Sequence, residues 1–333
     1  MGILYLTEPG TQLNYNGGRV IATLSGVEQI QLPLSHVEGV VVSTGVHLTE
    51  AVTAQFLDSA VPVTYISSRG KYFGHLETSK AVNIERQIKQ FEWLRHPSFR
   101  LDLSRKVIDA KVRNSFVVVR EFARHHPDVE VDSYGREIRM LRQRIAQTQN
   151  IAVLLGIEGH AAKLHFERLN QLIKPEFRFA GRTRHPPKDP FNSMLSYGYT
   201  LLLHDFNTAL RVHGLHPYLG FLHEPRNGHP SLASDMMELW RPVLVDAFVV
   251  HLANRNTFHI SDFETTSEGG VYLNKDASKT FVTRYEERVK RTKQGRGEAT
   301  EFSYRLTIEN QVRDLVRAIE SEDPTQYQPY LLS

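Results

Sequence analysis

The sequence contains no cysteine. Disulfides, thiolate metal sites and cysteine nucleophiles are thereby excluded. A metal bound by this chain must be held by His, Asp, Glu, Asn or backbone oxygens. No run of 18 uncharged apolar residues occurs, and no N-terminal segment joins a basic start to an apolar stretch and a small-residue cleavage site. The expectation is a soluble protein of the cytoplasm with no membrane partner. Also missing are a Walker A loop, a G-x-G-x-x-G turn after a strand, a G-x-S-x-G elbow and an H-E-x-x-H pair. A kinase, a dinucleotide enzyme or a zincin would need one of these.

What is present is unevenly charged. The 333 residues carry a net +3, but residues 1–80 hold four basic against six acidic side chains. Residues 84–149 hold fourteen against nine, residues 174–190 five against two, and residues 284–296 six against two. Basic patches facing a polyanion account for this split. Arginine-rich helices with solvated, ion-paired faces account for it equally well.

The first 75 residues read as β. Apolar or β-branched runs recur at Ile3–Leu6, Val20–Thr23, Val37–Val42, Pro62–Ile66 and Tyr72–Leu76. Turn residues separate them at Glu8-Pro9-Gly10, Asn14 to Gly18, Ser25-Gly26 and Arg69-Gly70. One helix interrupts, with Thr49 as its cap and Val52 and Phe56 at i, i+4. From Asn83 the period becomes helical. Ile84, Ile88 and Phe91 form a stripe, and Ile138, Leu141 and Ile145 repeat it. Helical spacing continues from Leu154 to Leu172, from Leu195 to Leu210, from Leu232 to Leu252 with Pro242 as a kink or restart, and through Val312, Leu315 and Ile319. The predicted fold is α+β: a small β-rich domain over 1–76, a linker over 77–84 where Glu77, Thr78 and Ser79 break the pattern, and a larger all-α domain over 85–333.

Two segments carry candidate chemistry. Glu158 lies in Leu154-Leu155-Gly156-Ile157-Glu158-Gly159-His160-Ala161-Ala162. A carboxylate in an apolar stripe is costly unless it is paired or binds a cation. The flanking glycines admit a second reading, a helix break with Glu158 in a first turn, complementing the dipole. The second segment runs from Gly220-Phe221-Leu222-His223 through a polar loop to Ser231, Asp235 and Glu238. Ser231 after Pro230 reads as an N-cap. Asp235 and Glu238, at i, i+3, share a helix face and repel unless a cation is near. Histidine with carboxylates and no sulfur suits Mg²⁺ or Mn²⁺. A polar surface face of a packed helix is the plainer alternative.

Taken together these blocks resemble the CRISPR-associated spacer-acquisition integrases, the first-numbered Cas family. Leu4-Tyr5-Leu6-Thr7-Glu8-Pro9-Gly10 resembles the family's opening strand and turn. Gly156-Ile157-Glu158-Gly159 with Ala161-Ala162 resembles its first ligand helix. Phe179 to Gly198, with Arg182, Arg184, Pro186-Pro187, Asp189-Pro190 and Asn192, resembles its central basic loop. Gly220 to His223 with Ser231-Leu232, Asp235-Met236-Met237-Glu238 and Arg241-Pro242 resembles its second ligand block. The resemblance implies metal ligands at Glu158, His223 and Glu238, with Asp235 as a nearby acidic position. The family often has Asp where Glu238 stands, Phe at Trp240 and Leu at Met236. It also implies DNA partners, a homodimer through the β domain, and a second-numbered Cas protein bridging two dimers. The implied reaction is attack of a DNA 3′-hydroxyl on a phosphodiester of a CRISPR repeat. Arg182, Arg184, Lys188, Lys290, Arg291 and Lys293, clustered near Gly181, Pro186, Pro187, Gly295 and Gly297, are expected to grip phosphate rather than bases. A non-catalytic DNA-bridging scaffold and a nuclease unrelated to CRISPR are the competing functions.

Overall fold

A computed structural model describes residues 2–67, 72–78, 80, 82–294 and 301–332. These fall into two compact units, 1–84 with Thr208–Gly214, and Glu85–Asn207 with Leu215–Ser333. The expected turn at Arg69-Gly70, the break at Ser79, and Gly295 and Gly297 lie outside the described residues.

In the first unit the chain forms β1 (Gly2–Leu6), β2 (Thr11–Asn16), β3 (Arg19–Leu24), β4 (Val27–Pro33), β5 (Val37–Ser43), β6 (His47–Leu48), α1 (Glu50–Asp58), β7 (Val63–Ile66) and β8 (Tyr72–Leu76). They make two four-stranded sheets, ordered β1-β5-β7-β8 and β4-β3-β2-β6. The turn expected over Asn14 to Gly18 is shorter than the residue types suggest. Asn14, Tyr15 and Asn16 pair with Ile21, Val20 and Arg19. Only Gly17 (φ 55) and Gly18 (φ 78) turn the chain, because a two-residue hairpin needs left-handed backbone at both positions. Leu13, Val20, Val40, Val42, Val52 and Phe56 share one core between the sheets and α1. Thr49 caps α1, its hydroxyl accepting from the N–H of Val52.

The second unit is mostly helical: α2 (Ile84–Leu94), α3 (Pro97–Ala123), α4 (Val131–Gln147), α5 (Ile151–Gln171), α6 (Pro190–Val212), α7 (Ser231–Met237) and α8 (Ala247–Asn254). Two strands, β9 (Phe263–Thr265) and β10 (Val271–Leu273), precede α9 (Lys275–Lys290), and β11 (Thr292–Gln294) and β12 (Glu301–Ser303) precede α10 (Tyr304–Glu320). The apolar stripe of α2 faces outward: Ile84, Ile88 and Phe91 are 61%, 53% and 49% exposed. Buried on this helix instead is Gln90, whose amide donates to the carbonyls of His216 and Leu219 and accepts from the His216 N–H. A buried loop backbone needs those partners, so a polar peg replaces an apolar one.

The glycines around Glu158 do not break a helix. Asn150 caps α5, accepting from Ala152 and Val153, and the helix runs unbroken past Gly156 and Gly159. Ser231 is not the cap of α7 either. Pro230 precedes the helix, and the Ser231 hydroxyl donates to the Glu224 carbonyl at 3.2 Å. After α7 the helix tightens to a 3₁₀ turn over Glu238–Trp240, widens to a π turn over Arg241–Asp246, then resumes as α8. Pro242 has no N–H to offer the Glu238 carbonyl, so regular α geometry cannot pass this point.

Candidate active site

α3 is the axis around which the site is assembled, packing against α4, α5 and the Glu238–Asp246 segment. Ser104, Ile108, Ser115 and Val118 mark its buried face, and Lys111 falls on the same stripe. Its ammonium lies 2.5 Å from Glu158 Oε1 and 2.5 Å from Glu238 Oε2. Two carboxylates from α5 and the end of α7 therefore meet on one cation. Side-chain exposures are 13% for Lys111, 22% for Glu158 and 8% for Glu238. Arg241 adds a second cation, its Nε 3.2 Å from Glu238 Oε2. The Arg241 guanidinium is itself seated over the Tyr199 ring, 4.7 Å from its centroid.

Electrostatics follow from this packing. Burial pushes the Glu238 carboxyl up, but Arg241 and Lys111 more than offset it and hold it at about 2. Burial likewise pushes the Lys111 ammonium down, and Glu238 and Glu158 reverse that and raise it.

His223 is held beside this pair by Asp235. Its Nδ1 lies 2.6 Å from Asp235 Oδ1. Asp235 is buried, and also accepts from the N–H groups of Leu222 at 2.8 Å and His223 at 3.1 Å. The hydrogen bond to Asp235 raises the His223 pKa against the opposing effect of burial. With Nδ1 engaged, Nε2 is the nitrogen left to act as a donor atom. Gly220 makes the arrangement possible: a Cβ there would sit 2.7 Å from Asp235 Oδ2 and 2.7 Å from the Ser231 Cβ.

A second buried network backs the first. Asp246, on the π turn, lies 2.8 Å from His165 Nε2 and accepts from the Tyr199 hydroxyl. Beside the His223 loop an open cleft of about 790 Å³ is lined in part by Arg95, Arg100, Gln149, Asn150 and Glu224.

Glu158 and Glu238 are thus brought together, and His223 and Asp235 are paired at their side. No three His, Asp or Glu side chains among the described residues are gathered as a formed metal site. The donor set nevertheless fits a divalent ion. Lys111 marks a point where two carboxylate oxygens already converge on positive charge, and the imidazole is oriented through its Nδ1 by Asp235. Lys111 and Arg241 carry roles that the sequence reading did not assign. The available signal was a lysine on the inward stripe of a helix whose other inward residues are uncharged.

The expected phosphate-gripping residues divide. Arg182 is turned inward, donating to Asn192 Oδ1 at 2.9 Å and Ser196 Oγ at 3.1 Å, 5.4 Å from the Tyr199 ring. It braces its own loop. Arg184, Lys188 and Arg291 are exposed. Lys290 is exposed but pairs with Glu286 at 3.1 Å. The side chain of Lys293 lies outside the described residues.

A strand-rich unit followed by a helical unit that gathers carboxylates around a cation also has relatives. The family model for CRISPR associated protein Cas1 matches residues 4–287. A CRISPR-associated endonuclease Cas1 of Thermus thermophilus is 33% identical over 332 residues, covering 99% of this chain and 97% of the relative. The fold resembles a casposase bound to integration product, with a TM-score of 0.84 at 22% identity, covering 100% of this chain and 96% of that one. It also resembles a chain in a Cas6-RT-Cas1–Cas2 complex, with a TM-score of 0.84 at 20% identity; the match covers 99% of this chain but 36% of that longer one. At these identities the two structural likenesses show the fold alone. The chain belongs to the Cas1 family of CRISPR-associated endonucleases.

Proposed function

We propose that this chain is a metal-dependent DNA integrase that inserts captured DNA fragments as new spacers into a CRISPR array. The observation that carries the proposal is the meeting of Glu158 and Glu238 on one cationic point, with His223 locked beside them by Asp235. Glu158, His223 and Glu238 would hold Mg²⁺ or Mn²⁺. When bound, the ion polarises the scissile phosphoryl oxygen and stabilises the departing 3′-oxygen.

The chain's own residues supply the rest. Asp235 engages Nδ1 of His223 and would so leave Nε2 as the ligating nitrogen. Arg241, seated on Tyr199, holds the Glu238 carboxylate ionised. Arg184, Lys188 and Arg291 would hold phosphates and set position without reading sequence. Attack by one alkoxide and loss of another makes the exchange nearly isoenergetic, so no nucleotide-binding loop is required.

The proposal includes a homodimer formed through the first unit and a second-numbered Cas protein joining two dimers, acting in the cytoplasm. The casposase relative is described with an integration product and the longer relative with Cas2, which supports DNA and Cas2 as partners here. The described helices offer no span long and apolar enough to cross a membrane.

The test is strand joining with Mn²⁺, a labelled fragment and a repeat-bearing plasmid. Glu158→Gln, His223→Ala and Glu238→Gln should each lower it by at least roughly a hundredfold while DNA binding persists. Glutamine is chosen over alanine at 158 and 238 because it keeps polar atoms against Lys111. Full joining by all three variants would leave the residues as structural polar groups and favour the non-catalytic bridging scaffold.

A further inference from the structure

We propose that Lys111 is a tethered cation that closes the carboxylate pair in the absence of a divalent ion, and that DNA phosphate draws it away, so that ion and DNA binding reinforce each other. The inference rests on the metal reading of Glu158 and Glu238.

Geometry is the first argument. With Lys111 Nζ 2.5 Å from each oxygen, the two oxygens are no more than about 5 Å apart. A magnesium ion with oxygens at about 2.0–2.1 Å spans about 4 Å between opposite ligands. The pair therefore needs to close by at most about 1 Å, but the ammonium occupies the point of convergence.

Charge is the second. Glu158 and Glu238 face two cations, Lys111 and Arg241, while His223 and Asp235 are paired separately. The four groups balance. A divalent ion entering beside an undisplaced Lys111 would leave a buried surplus of two positive charges, and the ion and the ammonium would compete for the same oxygens.

Mobility is the third, and it singles out Lys111 from Arg241. The arginine is fixed by its planar head over the Tyr199 ring. The lysine is a point charge on a flexible four-carbon stem. It is the cation that can swing out. Once displaced it needs a new anion, and a DNA phosphate arriving at the site supplies one. By linkage, whatever factor DNA adds to ion affinity, the ion adds to DNA affinity.

The experiment titrates Mn²⁺ into the full chain, with and without a short DNA duplex, and follows bound ion by electron paramagnetic resonance. In the parent, DNA should tighten Mn²⁺ binding by about tenfold. Lys111→Met should bind Mn²⁺ about tenfold tighter than the parent without DNA, and gain little more from DNA. Lys111→Arg, which keeps a cation in place, should stay as weak as the parent. A Lys111→Met variant that is folded but binds Mn²⁺ no tighter than the parent overturns the inference while the metal reading stands. Should that variant fail to fold by circular dichroism, the parent decides: Mn²⁺ affinity indifferent to DNA also overturns it. Mn²⁺ binding that Glu238→Gln leaves unchanged removes the metal reading itself, and the inference with it.

Discussion

At the scale of single residues the site depends on buried charges that hold one another in place. Glu238 has the clearest pH signature. Its folded pKa, about 2, lies below its ordinary 4.5. A depressed carboxylate stabilises the fold above its unfolded pKa, and that contribution is lost as pH falls from about 4.5 toward 2. Acid unfolding of the parent should therefore steepen across this window, and Glu238→Gln should flatten the curve there while starting from lower stability at neutral pH. Parallel acid-unfolding curves for the two proteins would mean that Arg241 and Lys111 do not act on Glu238 as the distances suggest. Gly220 is the other residue whose identity is dictated locally, since a single methyl would clash with Asp235 Oδ2 and with Ser231.

At the scale of elements, two helices depart from what their spacing leads one to expect. The segment after α7 passes through a 3₁₀ turn and a π turn before α8 because Pro242 interrupts the hydrogen-bond ladder. Glu238 and Arg241 open the 3₁₀ and π turns, so the irregularity sets where this carboxylate and its cation point. In α2 the apolar stripe is outward and Gln90 inward. Apolar periodicity reports a helix, not which way the helix turns. A double change, Ile88→Ser with Phe91→Ser, should alter stability by less than about 1 kcal/mol, as exposed substitutions do. Burial elsewhere sets the contrast: Ile108, fully buried on α3, should cost about 2–5 kcal/mol when cut to alanine. Thermal melts of both variants decide the matter. A loss of several kcal/mol from the α2 pair would show that this face is covered in solution.

At the scale of the whole molecule, charge is the property that bears on DNA. Arg184, Lys188 and Arg291 are exposed, whereas Arg182 is committed to its loop and Lys290 to Glu286. Changing Arg184, Lys188 and Arg291 together to glutamine should lower the slope of log K against log salt by up to about three units, equally on unrelated sequences. Arg182→Gln should instead lower the melting temperature, because its partners Asn192 and Ser196 lose their donor. Binding titrations at several salt concentrations test the first expectation. An unchanged slope would return these side chains to the solvated surface.

The sequence by itself determined the order of a strand-rich part and a helical part, because side-chain periodicity of two or of 3.6 is local information. It also determined the family, through blocks around Glu158, His223 and Glu238 that keep their order along the chain. It excluded cysteine chemistry outright. Only the tertiary structure decided that Thr208–Gly214, the end of what reads as one helix, belongs with the first unit. It alone showed that Asp235 orients His223, that Arg182 turns inward, and that Lys111 joins Glu158 to Glu238. The last of these depends on contacts between residues 47 and 127 positions apart, and no local pattern encodes which distant partner a buried charge will find. A lysine on the buried face of a helix announces that it needs an anion; the packing of α3, α5 and the end of α7 names the anions.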